Sequence, residues 1–153
     1  MAEPIVELIA ANIEADINAI TTGNGFNYTL AAHRRKKFDF INEPWADLDV
    51  VIQQLERRKI SDENMIKRWE QPFGIYAFTT QSEDASTTID TKQNRVIADI
   101  EKKLMTDPYR GGNADDTDIE GPVPFINANS ACGVYLEVVV VYGTVENDPY
   151  TKG

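Results

Sequence analysis

Gly133-Val134-Tyr135-Leu136-Glu137-Val138-Val139-Val140-Val141-Tyr142 is the stretch on which the fold turns. β-Branched and aromatic side chains dominate it, and these fit a pleated surface, so it reads as a strand. Taking alternate positions gives two faces. Val134, Leu136, Val138, Val140 and Tyr142 form one, and Tyr135, Glu137, Val139 and Val141 the other. Both are largely apolar. A strand covered by helices on one side only would alternate cleanly between apolar and polar, so this one predicts a second cover, from its own chain or from a neighbouring subunit.

Upstream of this strand, residues 123–131 can pair only as an edge strand, because Pro124 removes a backbone donor. Residues 107–121 contain Gly111-Gly112 and the run Asp115-Asp116-Thr117-Asp118-Ile119-Glu120, and read as a long acidic surface loop. Before it, Thr87 and Asp90 resemble a capping box, and Ile89, Val96, Ile97, Ile100 and Leu104 form the stripe of a helix that Asp107-Pro108 ends. A first helix starts at Pro4 with the stripe Ile5, Leu8, Ile9, Ile13, Ile17 and Ile20, and Gly23 suits its C-terminal cap. Between the helices, residues 26–40 read as a strand with a solvated end, 50–58 as a short strand, 59–70 as a polar connector and 73–80 as a strand. The prediction is an α+β domain spanning 1–153, two helices packed on one antiparallel sheet of about four to five strands in the order α-β-β-β-α-β-β.

A formal net charge of -10 and a pI near 4.5 oppose adhesion to phosphate backbones and anionic membranes, which require a basic face. The single cysteine, Cys132, has no intrachain partner for a disulfide, and a lone thiol suits a reducing compartment. Residues 1–5 lack a basic, then apolar, leader pattern, and no run is long and apolar enough for a span, so synthesis in a cytoplasm is expected.

Catalytic signatures do not assemble. One histidine, His33, lies in a basic run, and no phosphate-loop or nucleophile-elbow pattern occurs. Asp116-x-Asp118-x-Glu120-Gly121 imitates a calcium loop, but its twelfth position is Asn127 rather than glutamate, and Pro122 and Pro124 oppose a following helix. The expectation is therefore no enzyme, no cofactor and no metal site. His33-Arg34-Arg35-Lys36-Lys37 is the one dense basic cluster on an acidic chain. It reads as a solvated strand end or as a complementary contact to the 115–120 run of an identical neighbour.

Residues 99–107, Asp99-Ile100-Glu101-Lys102-Lys103-Leu104-Met105-Thr106-Asp107, are followed by Gly111-Gly112, a loop, the apolar strand ending at Tyr142, and a tail with Asp148-Pro149-Tyr150. This succession resembles the C-terminal half of bacteriophage tail terminator proteins of long-tailed phages, also called tail completion or minor tail protein U-like proteins. The resemblance covers about residues 87–150. Two departures stand out: Pro108-Tyr109-Arg110 replaces small residues before the paired glycines, and 39–70 is longer than the family pattern.

The resemblance implies a virion protein of the tail or neck without catalytic residues. Its subunits form a homo-oligomer, a hexameric ring, on the end of the tail tube, stop polymerisation of the tail tube protein and meet the head's connector proteins. DNA passes through the lumen without specific binding. A head-side neck or head-closure connector is the alternative, and a metal-binding module on the acidic run the least favoured. On the ring reading, subunit-interface candidates are Tyr135, Glu137, Val139, Val141, Arg34, Arg35, Lys36 and Lys37. Docking-loop candidates are Asp107, Tyr109, Arg110, Asp115, Asp116, Asp118 and Glu120.

Overall fold

The strand around Val138 runs beyond its apolar core, from Cys132 to Val145 (β6, Cys132–Val145), and lies at the centre of a mixed seven-stranded sheet. The structure is a computed structural model that describes residues 2–81, 85–126 and 131–153. In chain order the elements are α1 (Ile5–Asn18), β1 (Ala31–Arg34), β2 (Asp49–Gln54), β3 (Arg58–Glu63), β4 (Ile66–Phe78), α2 (Ile89–Met105), β5 (Asp116–Ile126), β6 and β7 (Asp148–Lys152). Among the described residues the fold is α+β with two α-helices, but the sheet has more strands than expected and is not purely antiparallel. Its main path is β1-β2-β4-β6-β5, with β3 on β4 and β7 on β6.

β4 and β6 form the spine, paired without a break from Ile66 opposite Val145 to Phe78 opposite Gly133. Proline rarely survives inside such a pair. Pro72 does so because it stands opposite Val139 on the β6 side, while on its other side it falls between the ends of β2 and β3. There Leu55 N–H donates to the Pro72 carbonyl, and Gln71 Nε2 donates to the carbonyls of Leu55 and Pro72, closing the gap.

One face of the sheet carries both helices. Ile9, Ile13 and Ile17 of α1 and Val96, Ile100 and Leu104 of α2 join Val50, Ile52, Phe73, Ile75, Leu136, Val138 and Val140 in one buried cluster. Most residues of the predicted stripes face the core, but Leu8 is exposed while Ala10 is buried in its place, and the helix ends are shifted. α1 stops at Asn18 with Ala19 as its cap, and Gly23 belongs to a 3-10 turn, Thr22–Asn24. α2 is capped by Thr88 rather than Thr87, its hydroxyl accepting from Thr91 N–H.

Four other expectations are corrected. Of residues 26–40, only Ala31–Arg34 is a strand, and it runs parallel to β2. A parallel neighbour needs a crossover, which the intervening chain supplies by passing over the second face. The 59–70 connector is a hairpin, β3 and β4, turned at Asn64 and Met65, both with positive φ. The acidic loop at 107–121 ends at a strand, because β5 pairs with β6 from Asp116 onward, through a bulge and a cis Gly121–Pro122 bond. The C-terminal tail adds β7.

Candidate functional site

The second face of the sheet is where β6 was expected to find another cover, and it divides in two. Over its upper part the crossover places Phe40 and Trp45 against Val51 and Phe78, with Tyr76 and Phe125 beside them. Tyr76 and Tyr135 pack at 4.8 Å between ring centroids, and Trp45 stacks on Phe78 at 5.9 Å. The Tyr135 ring also lies over Gly74, 2.9 Å from where a Cβ would stand, so only glycine admits it there. Burial first, then Glu137, pushes the Tyr135 hydroxyl up to about 12.

Below Tyr135 the cover stops. Val139 and Val141 are half-buried and belong to neither apolar cluster among the described residues. Register places Asp118 beside Val139, and Asp116 and Glu70 beside Val141, with Glu120 opposite Glu137. Thr117 and Ile119 turn to the helix side, so Asp116, Asp118 and Glu120 stand on this second face, exposed. Two valines thus sit inside a frame of carboxylates.

The basic cluster lies at the opposite sheet edge. Arg34 is anchored: its guanidinium donates to both Glu7 carboxylate oxygens, at 2.8 and 3.2 Å, and its backbone N–H donates to Glu14. That hydrogen-bonded pairing holds the Glu7 carboxyl below the usual range and raises Arg34. Together with Asn18, which accepts from Ala32 N–H, Glu14 also closes the free edge of β1. His33 lies 3.3 Å from Asp49 and beside Trp45. Beyond β1 the chain stays tied to β2 through Arg35, whose backbone N–H donates to the Ile52 carbonyl and whose guanidinium donates to the Gln54 carbonyl. Arg35 sits over the Phe38 ring at 4.9 Å, Phe38 is 89% exposed, and Lys36 and Lys37 are exposed with no ion pair among the described residues. A cavity of about 470 Å³ opens between these lysines, His33 and Trp45.

No protein-family model matches the chain, and no curated protein matches it.

Three of the seven docking-loop candidates, Asp107, Arg110 and Asp115, are held inside the subunit. Arg110 is fully buried. It donates to Asp16 at 3.0 Å and to the carbonyls of Leu104 and Asp107, joining α1, the end of α2 and the following turn. Burial pulls its pKa down, against the pull of Asp16 and Asp107. Asp107 accepts from Tyr109 and Gly111 N–H, and the Gly111 bond holds its carboxyl below the usual range. Asp115 is paired with Arg68. Of the loop candidates, Tyr109, Asp116, Asp118 and Glu120 are exposed.

The calcium-loop imitation also changes meaning. Along a strand, alternate side chains are about 7 Å apart, so Asp116, Asp118 and Glu120 form a row instead of a cage. Asn127 lies outside the described residues. No group of three or more metal-binding side chains occurs among the described residues. Nor is any described helix long and apolar enough to cross a membrane. Sequence reading missed Phe38 as a surface feature, although an aromatic directly after four basic residues was a visible signal.

Proposed function

We propose that this chain is a structural phage protein of the tail terminator type. Its subunits form a ring on the end of the tail tube, stop the tube from growing and offer a surface for joining the tail to the head. The observation that carries the reading is the half-covered second face of the sheet, where Val139 and Val141 lie between carboxylates, half-buried and outside both apolar clusters of the described residues. A ring requires two different surfaces on each subunit that meet in a closed cycle, and an open sheet face with an edge strand can serve as one of them. The resemblance of residues 87–150 supplies the rest, namely the ring on the tube and the partners at its two ends.

The test uses self-polymerising tail tube protein mixed with the purified chain and imaged by negative-stain electron microscopy. Short tubes with added density at one end are expected. Tubes that grow unimpeded, with bare ends, overturn the capping role and favour a head-side neck component.

A further inference from the structure

Two features of opposite character lie at opposite edges of one sheet, and neither Lys36 and Lys37 on one side nor Asp116, Asp118 and Glu120 on the other make an ion pair among the described residues. Near β1, Lys36 and Lys37 flank the exposed ring of Phe38, with Arg35 against it. Near β5, the exposed row Asp116, Asp118 and Glu120 borders the half-buried Val139 and Val141. Because the strand order runs from β1 through β2, β4 and β6 to β5, the sheet itself keeps them apart in one subunit.

We propose that they meet between copies: the 35–38 turn of one subunit docks on the β5–β6 face of the next, Phe38 over the valines and Lys36 and Lys37 among the carboxylates. The occupant is a second copy because the acidic face needs a cationic, apolar-tipped partner, and this chain carries one. A two-fold arrangement that set each patch on its own equivalent would place lysines on lysines and carboxylates on carboxylates, which repels. The contact is therefore head-to-tail, the kind that either closes into a ring or runs on as a filament. The inference rests on the ring reading for its closure, and names the surfaces that the ring would use.

Charge exchange tests it directly. One variant of the full chain carries Lys36→Glu and Lys37→Glu, and a second carries Asp118→Lys and Glu120→Lys. All four side chains are exposed, and the folded state of each variant is checked by circular dichroism. Sedimentation velocity at low ionic strength is expected to show self-association of the unaltered chain that fades as salt screens the charges. Each variant alone should sediment as a monomer, because its two surfaces now share one sign. An equimolar mixture should associate again, because each variant then meets an opposite surface on the other. A monomeric unaltered chain at every concentration, or a mixture that stays monomeric, overturns the proposal.

Phe38→Ser gives a second reading that charge exchange does not touch. It is expected to weaken association about tenfold or more, as losing a central aromatic anchor does. Unchanged association overturns the docking role of the turn. Failures remain separable. A chain that caps tail tubes but ignores these substitutions retains the terminator role and loses this contact, whereas restored pairing without capping does the reverse.

Discussion

Arg110 holds three parts of the molecule through one guanidinium. Its donors satisfy the carbonyl of Leu104 in the last turn of α2 and that of Asp107 just beyond, and they pair with Asp16 on α1. A cation at the C-terminal end of a helix also complements the helix dipole. Arg110→Met should lower the unfolding free energy by about 3 kcal/mol, near the lower end for breaking a buried pair, since Asp16 retains some contact with water. Arg110→Lys should recover little, because a single ammonium cannot reach acceptors on three segments as the planar fork does. Urea unfolding measures both. The sequence placed Arg110 in a docking loop because a charged residue among glycines and aspartates ordinarily faces water, and no periodicity marks a buried arginine. Tyr135 supplies a second test at this scale. Its pKa rises from 10.0 to about 12 on folding, so between those values the unfolded chain has lost a proton that the folded chain keeps. Stability should therefore fall as pH rises through that window, and Tyr135→Phe should flatten this alkaline decline in thermal melts.

The β3–β4 turn shows which elements can be read from sequence. Two-residue hairpins favour positive φ at both central positions, and the sequence cue for that is a glycine. Here Asn64 and Met65 adopt those angles, at φ 56° and 64°, without one. The hairpin consequently read as a polar connector. Met65 is 70% exposed, so little packing is lost if it is shortened. Met65→Gly should stabilise the chain by about 0.5 to 1 kcal/mol by relieving the left-handed conformation, which costs an L-residue roughly 1–2 kcal/mol. A raised urea midpoint with unchanged slope is the expected result, and a lowered one removes the strain argument. α1, α2 and β6 were legible because burial writes a period of 3.6 or 2 into apolar residues. The later part of β5, residues 123–126, reads from sequence as the edge strand it is, but its first part does not, because the exposed face carries Asp116, Asp118 and Glu120, and the alternating Thr117 and Ile119 are too few to outweigh them. The parallel pairing of β1 could not be read at all, since strand direction leaves no trace in side-chain alternation.

Taken whole, the molecule covers its sheet unequally among the described residues, and the proposed ring would place a neighbouring subunit on the less covered face. The doubly apolar pattern of β6 predicts a second cover, from its own chain or from a neighbouring subunit. The helices provide the first, and the crossover through Phe40 and Trp45 provides half of the second. Substitution along one strand can separate the roles of the two faces. Val138 is fully buried beneath the helices, so Val138→Asn should destabilise by several kcal/mol, about the cost of a lost core side chain plus an unpaired amide. Val139 and Val141 project to the half-covered face, where an amide can still reach water. Val139→Asn with Val141→Asn should therefore cost the monomer only about 1 kcal/mol or less per site, roughly what replacing β-branched residues in a strand takes. Self-association should nevertheless be lost in sedimentation at low ionic strength, and with it any capping of tail tubes. Because no charge is added, this loss should persist when salt is varied, unlike the effects of altering the lysines or carboxylates. A doubly substituted chain that folds and still associates as the unaltered one does would mean that the uncovered valines are ordinary surface, and the subunit contact would have to lie elsewhere on the molecule.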